Sequence, residues 1–363
     1  MKRKILFIGL GTSYGGVEQF TCSVCDSFLK DSYEFEFLNY YKVDEQTKDM
    51  IAKIGGKEYR VSRYSANPVR FLKEIHEFYR KHADYDAIYC NASYASVIFY
   101  TLPVWRDKRK KIVFHSHASD GNHKRLQIAL RKLVNKFCDL KIAASESAAL
   151  WMYGEGKEVQ IVYSCIDAKR FQFRQEIRDM MREKYRLGDK LVIGHVGRLT
   201  EVKNHSFLLQ VFKELLERRP NAFLVLIGEG ELHEQIRNDI LKMKLEEYVL
   251  MLPFQKNIQD YYQMMDIFVL PSLKEGMGLA GIEAQACGLS VFYSDGVPRE
   301  AAITDLAHYL ELKRAASEWA EKILLVKICD RSEYWKKVVE AGFDKEIMVK
   351  KVHELLRENE IDR

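Results

Sequence analysis

No stretch of this 363-residue chain approaches the ~20 consecutive apolar residues that cross a bilayer; its hydrophobic runs are short and interrupted. A dominant sign of charge is lacking too, with 57 Lys and Arg against 52 Asp and Glu, a formal net of +5. No fixed-period repeat appears. The seven cysteines offer no disulfide framework: their number is odd, their spacing irregular, and most sit inside apolar runs where a reduced thiol acts as a small hydrophobe. Cys22 and Cys25 do form a C-x-x-C pair. It lies in an apparent helix, without proline between and without a second pair, so buried structural thiols are expected rather than a redox or zinc site. Met1-Lys2-Arg3-Lys4 followed by Ile5 to Leu10 imitates a signal peptide. That run is short and no small-residue cleavage site follows, so it reads as a first strand. The expectation is a cytoplasmic chain whose only membrane contact is peripheral.

What is present is globular. Hydrophobic residues make up 47% and charged residues 30%, outside disordered composition, and the length suggests about two domains with ample chain for a core. Short β-branched runs alternate with helical patterns. Candidate strands are 4–10, 34–40, 86–90, 111–115, 139–144 and 159–162, then 190–196, 222–227, 248–252, 266–270 and 290–293. Segments such as 204–218 and 231–244 carry a 3.6-residue period. Continuous apolar strands separated by helices predict α/β domains with parallel, doubly wound sheets, built from βαβ units. The polar stretch from Asp167 to Asp189 interrupts the alternation and marks the boundary, giving domains at 1–167 and 168–343. Beyond about 314 the chain reads as nearly all helical, ending in a charged helix near 344–360. Two doubly wound domains place ligands at strand carboxyl ends, in a cleft between the domains.

The charge is uneven. Residues 1–167 carry 26 basic and 20 acidic side chains, the remainder 31 and 32; within 106–141 eleven Lys and Arg face three Asp. Part of this segment, 121–137, patterns as an amphipathic helix. Ile128, Leu130, Leu133, Val134 and Phe137 fall on one side, with Lys124, Arg125, Arg131, Lys132 and Lys136 around much of the rest. Such a helix suits an anionic lipid surface, and equally a solvated face on its own domain.

Several strand ends carry chemistry. The first opens into Gly9-Leu10-Gly11-Thr12-Ser13-Tyr14-Gly15-Gly16-Val17-Glu18, a glycine-rich turn before a helix, where amides can approach a phosphate or simply make a tight turn. Strand 111–115 runs into His115-Ser116-His117, readable as ligand contact, as a satisfied buried histidine, or, less well, as metal ligands. Strand 190–196 leads into Gly197-Arg198-Leu199-Thr200-Glu201-Val202-Lys203-Asn204, where Arg198 and Lys203 can clamp two phosphates. Gly228 and Gly230 follow strand 222–227 and permit close backbone approach to a flat ligand. After strand 266–270 come Glu275, Gly276, Met277, Gly278 and Leu279, then Glu283 in the next helix. Two carboxylates beside glycines at a helix start suit polyhydroxy groups and a diphosphate.

In combination and order these residues resemble the retaining glycosyltransferases of family 4, with the GT-B fold. Gly15-Gly16-Val17-Glu18 is similar to the family's N-terminal glycine loop, Gly197-Arg198-Leu199 through Lys203-Asn204 to its G-R-L-x-x-x-K-N segment, and Glu275 to Glu283 to its E-x7-E motif. The bacterial exopolysaccharide and capsule branch is suggested by Phe114-His115-Ser116-His117 and by Ser294-Asp295 with Glu318-Trp319-Ala320. The resemblance implies metal-independent transfer of a hexosyl or N-acetylhexosaminyl residue, without cofactor, from a nucleotide-diphosphate sugar, UDP being expected, to a lipid-linked saccharide. Arg198 and Lys203 would neutralise the leaving diphosphate, Glu283 hold the ribose, and Glu275 with the amides of 276–279 hold the sugar. Gly15 and Gly16 would meet phosphate, and His115 or His117 would lie near sugar and acceptor. The first domain, with the final helix crossing back to it, would bind the acceptor and the second the donor, segment 106–141 would meet anionic membrane, and no nucleic acid is implied. The chain departs from the family at Ser164-Cys165-Ile166-Asp167, where N-G-[IV]-D is common, and at Ala118, where Asn is common.

Two other readings compete. A NAD-dependent nucleotide-sugar oxidoreductase or epimerase would use the first glycine turn, but Phe37-Leu38-Asn39 near the end of strand 34–40 offers no ribose-binding acid, and Tyr153 and Lys157 are separated by glycines. A non-catalytic partner subunit would not be expected to keep Arg198, Lys203, Glu275 and Glu283 together. Asp84-Tyr85-Asp86 imitates the metal-binding D-x-D of another glycosyltransferase fold, but it precedes a strand instead of following one and reads as strand-entry acid.

Overall fold

The computed structural model describes residues 2–12, 15–328 and 330–357; Ser13 and Tyr14 of the glycine turn, and Cys329, lie outside them. The chain divides into two compact units, residues 1–164 with 346–363, and residues 165–345. Among the described residues no helix is long and apolar enough to cross a membrane.

In the first unit the strands are β1 (Arg3–Ile8), β2 (Tyr33–Asn39), β3 (Lys57–Arg60), β4 (Ala87–Ala92), β5 (Lys111–Ser116), β6 (Leu140–Ala143) and β7 (Gln160–Ile161). They form one sheet in the order β3-β2-β1-β4-β5-β6-β7, with all neighbouring strands parallel. Its helices are α1 (Gly16–Cys25), α2 (Glu45–Lys53), α3 (Pro68–Lys81), α4 (Lys124–Phe137) and α5 (Glu146–Tyr153). Strands buried on both faces read as continuous apolar runs, and β1 and β4 do so here. The core is aromatic, with Phe7, Phe37, Phe71, Tyr89, Tyr100 and Phe114 fully enclosed.

The second unit repeats the plan with β8 (Leu191–Val196), β9 (Ala222–Ile227), β10 (Val249–Leu252), β11 (Ile267–Leu270), β12 (Ser290–Ser294) and β13 (Ala307–Leu310), ordered β10-β9-β8-β11-β12-β13 and again parallel. Its helices are α6 (Gln175–Lys184), α7 (His205–Arg218), α8 (His233–Lys242), α9 (Ile258–Met264), α10 (Leu279–Ala286), α11 (Ala316–Leu325) and α12 (Tyr334–Glu340). Here the core is mainly aliphatic, with Leu208, Leu209 and Leu215 packed with the rings of Phe212 and Trp319. Asp266, at the entry to β11, is buried and accepts from Arg178 at 2.5 Å, Arg182 at 3.2 Å and the Val192 amide at 2.8 Å, fixing α6 to the sheet.

The chain enters and leaves the second unit side by side. Ile166 bridges Asp344 in parallel, the Asp344 carboxylate accepts the Ala168 amide at 3.2 Å, and Lys345 pairs with Asp167 at 2.6 Å. The last helix, α13 (Lys345–Arg357), packs in the first unit. Lys111 donates to the Leu355 carbonyl at 2.6 Å and to that of Leu356 at 3.3 Å near its C-terminus, and Lys351 reaches the Ile161 carbonyl at 2.8 Å.

Candidate functional site

In the second unit the carboxyl ends of β8, β9 and β11 carry the residues singled out above. The turn after β8 holds Gly197 and Arg198, and a short 3-10 turn at Glu201–Lys203 feeds α7. Asn204 adopts the left-handed conformation there, with its side-chain amide donating to the Pro271 carbonyl at 3.2 Å, which ties this turn to the loop after β11. Lys203 runs back over Gly197, where an added Cβ would stand 3.3 Å from its Cε. Its ammonium meets Glu275 Oε1 at 2.5 Å, and Ser272 Oγ donates to the same oxygen at 2.6 Å. Arg198 is exposed, and among the described residues no ion pair or hydrogen bond engages its guanidinium.

Gly278 caps α10 in the left-handed conformation at φ 71, with no side-chain cap on the helix. The first amides of α10 are therefore available, and the helix dipole favours negative charge at that end. Gly276 is exposed with open space around it, whereas Met277 is buried. Leu279 is half-buried. One turn on, Glu283 accepts from Tyr262 Oη at 2.8 Å, and the same hydroxyl bonds the Ala280 carbonyl at 3.0 Å. Burial pushes the Glu283 carboxyl up to about 7, against the Tyr262 hydrogen bond and the charge of Arg170.

Gly228 and Gly230 have a structural duty within the unit. A Cβ at Gly228 would fall 1.9 Å from the Gly197 carbonyl oxygen, and one at Gly230 within 2.4 Å of that of Leu199. These glycines let two backbones of the same unit touch, with Leu199 N donating to Glu229 O at 2.8 Å and Gly197 N to Ile227 O at 3.0 Å. They shape the Arg198 turn. Beneath it His195 and His205 lie with ring centroids 4.8 Å apart, both held below the ordinary histidine range by burial.

In the first unit the glycine turn is closed by its own acid. Glu18, buried in the first turn of α1, accepts the Gly11 amide at 2.6 Å and the Gly15 amide at 2.9 Å, while Gly16 stands exposed with open space around it. His115 has no exposed surface. Its Nδ1 contacts Tyr89 Oη at 2.9 Å, and its ring lies 4.6 Å from Phe20 and 4.0 Å from His117. Of the two histidines only His117 is open to a ligand; its Nε2 is 3.0 Å from Asn91 Oδ1. Burial pushes the His117 ring down to about 3, so it is neutral at physiological pH.

The remaining candidates resolve into structural parts. Tyr153 donates to the carbonyls of Phe114 at 2.6 Å and Ile142 at 2.9 Å, so its phenol is occupied in the core. Asp84 pairs with Lys4 at 2.7 Å and Asp86 accepts the Lys4 amide at 2.8 Å, bracing the amino ends of β1 and β4. Cys22 and Cys25 are not joined in a disulfide, and burial pushes the Cys25 thiol well up. Among the described residues no three His, Cys, Asp or Glu gather as a metal site would require. On α4 the buried stripe is Gln127, Leu130 and Val134, whereas Ile128, expected inside, is 56% exposed. Gln127 displaces it by accepting the Ala95 amide at 2.8 Å and donating to the Trp151 carbonyl at 3.1 Å. The basic segment also has internal duties: Lys110 is buried on the Ala83 and Tyr85 carbonyls, Arg109 pairs with Asp107, and Arg131 donates to the Trp151 carbonyl.

Residues 14–170 match the model described as Glycosyltransferase Family 4, and residues 177–344 match Glycosyl transferases group 1. EpsF of Bacillus subtilis, assigned as a glycosyltransferase, is 30% identical over 337 residues, covering 89% of this chain and 87% of its own length. The UDP-Gal:alpha-D-GlcNAc-diphosphoundecaprenol alpha-1,3-galactosyltransferase of Escherichia coli is 27% identical over 186 residues, 45% of this chain and 46% of that one. Among solved structures, HepE of Anabaena in complex with UDP superposes with a TM-score of 0.80 at 18% identity, over 97% of this chain and 99% of that one. That likeness establishes the GT-B fold.

Proposed function

This chain belongs to glycosyltransferase family 4, and we propose that it transfers a hexosyl or N-acetylhexosaminyl residue from a UDP-sugar to a lipid-linked saccharide with retention of configuration. The observation that carries this reading is the Lys203–Glu275 pair beside an unengaged Arg198 and the uncapped start of α10. When the sugar–phosphate bond breaks, negative charge builds on the departing diphosphate. Arg198, Lys203 and the α10 amides are fixed positive groups that stabilise it, so the chemistry needs no metal ion and no cofactor. Glu275 and the backbone of 276–279 hold the sugar, and Glu283, positioned by Tyr262, takes the ribose hydroxyls. Among the described residues of the glycine turn, Gly16 is exposed and open to meet phosphate, while Glu18 occupies the Gly11 and Gly15 amides.

The UDP donor and the lipid diphosphate acceptor are supported by the Escherichia coli relative and by the UDP complex of HepE. The acceptor belongs to the first unit and the donor to the second. Peripheral attachment at the cytoplasmic face of the membrane would use the basic residues of α4 beside exposed Leu126 and Ile128.

A thermal-shift panel of UDP-, GDP- and ADP-sugars tests the donor assignment, with a UDP-sugar expected to raise the melting temperature most. No shift with any nucleotide sugar refutes the reading. Activity abolished by EDTA and restored by a divalent ion refutes the metal-free step.

A further inference from the structure

The first unit contains a cavity of about 340 Å³ that none of the motifs above accounts for. It lies past the carboxyl ends of β2, β3 and β4, beside the point where the strand order reverses between β1 and β4, the usual ligand position in a doubly wound sheet. Tyrosines make its walls. Tyr40 stacks on Tyr100 with centroids 4.7 Å apart, Tyr64 meets Tyr100 edge-on at 6.4 Å, and Tyr41 lies under the Arg63 guanidinium at 5.3 Å. Tyr94 is clamped in place: the Asn122 amide donates to its hydroxyl at 3.2 Å, and a Cβ at Gly121 would collide with its ring.

The lining selects a chemistry. No carboxylate borders the cavity, and its cation, Arg63, is exposed and has no ion-pair partner among the described residues. Aromatic faces with serine and asparagine between them suit the alternating C–H faces and hydroxyls of a pyranose ring. An unpartnered guanidinium at the rim suits a phosphate attached to that ring. Leu126 of α4 also lines the cavity, is 49% exposed, and adjoins exposed Lys124, Arg125 and Ile128, which gives an apolar, basic exit for a chain leading away from the phosphate. Tyr40 lies next to the glycine turn, its hydroxyl 3.5 Å from where a Gly9 Cβ would be, and the Gly9 backbone abuts Asn91, the partner of His117.

We propose that this tyrosine-walled cavity is the acceptor subsite, holding a pyranose of the lipid-linked saccharide against Tyr40, Tyr64 and Tyr100 with its diphosphate on Arg63. The assignment rests on the acceptor reading given above and specifies the headgroup that it requires: a sugar joined through a diphosphate to an apolar chain.

The test uses the full chain and four probes: decyl diphosphate-linked N-acetylglucosamine, decyl N-acetylglucosaminide, inorganic diphosphate and UDP, with dissociation constants from titration calorimetry. Arg63→Ala should weaken the glycosyl diphosphate about tenfold and leave the phosphate-free glycoside unchanged. Tyr64→Ala should weaken both glycosides by about the same factor. Neither variant should alter the affinity for UDP, which also reports that each remains folded. Wild-type protein that binds UDP but not the glycosyl diphosphate, or variants that bind the glycosyl diphosphate as wild type does, would overturn the subsite. Inorganic diphosphate bound at Arg63 as tightly as the glycosyl diphosphate would also overturn it, by showing a bare anion site. Wild-type protein that binds no UDP refutes the transferase reading, and the subsite falls with it.

Discussion

Lys203 Nζ stands 2.5 Å from Glu275 Oε1, joining the turn after β8 to the loop after β11. Both side chains are largely withdrawn from water, 19% and 11% exposed, so the pair is screened less than a surface ion pair. In the proposed mechanism the lysine assigned to the diphosphate and the acid assigned to the sugar are partners of one another. Each is preorganised by the other, and Ser272 fixes the acid further. Lys203→Ala should lower kcat for transfer about 10²- to 10³-fold while the far-ultraviolet circular dichroism is retained. Turnover within a few-fold of wild type would remove Lys203 from the reaction.

Glu283 gives a pH signature. Its carboxyl is raised from 4.5 to about 7, chiefly by burial, so the folded chain holds this proton more tightly than the unfolded chain. Stability contributed by the protonated form is complete below pH 4.5 and is lost as pH rises to about 7. Relative to Glu283→Gln, which does not titrate, the wild type should therefore lose urea stability across that interval and change no further above it. A wild-type-minus-variant difference that is flat from pH 4.5 to 7.5 would contradict the burial of this carboxylate.

Asp266 tests the second unit's scaffold apart from its chemistry. Removing it leaves Arg178 and Arg182, 18% and 11% exposed, without their shared anion. Asp266→Ala should cost about 3–5 kcal/mol in urea unfolding at pH 7. A loss under 1 kcal/mol would show that the arginines' carbonyl contacts suffice.

The basic segment divides into two classes of residue. Lys124→Glu with Arg125→Glu should reduce sedimentation with anionic phospholipid vesicles and leave the melting temperature in place, because both side chains are exposed. Lys110→Ala should lower the melting temperature instead, since that ammonium is 5% exposed and bonds two carbonyls. Vesicle binding that ignores both lipid charge and salt would return α4 to an ordinary solvated face.

Much of this was legible because both the strands and the chemistry are local in sequence. Apolar runs such as Ala222–Ile227 locate strands buried on both faces, and Arg198, Lys203, Glu275 and Glu283 sit at strand ends that a linear reading can find. β3, Lys-Glu-Tyr-Arg, and β13, Ala-His-Tyr-Leu, escaped because short edge strands are half exposed and need no apolar run. Ile128 was placed on the wrong face because a buried Gln127 breaks the apolar period. The backbone-on-backbone contact of Gly228 and Gly230 with residues 197–199 leaves no pattern in sequence. Tyr262 under Glu283, and the tyrosine cavity drawn from separate segments between Tyr40 and Leu130, depend on tertiary placement that no spacing encodes.

The central claim is transfer with retention from a nucleotide sugar. It is tested most directly by proton NMR of the wild-type protein turning over the UDP-α-sugar that stabilises it most with a lipid-linked saccharide acceptor, following the anomeric proton of the newly formed glycosidic linkage. The account predicts an α-configured product whose appearance stops in Lys203→Ala. A β-configured product would contradict it.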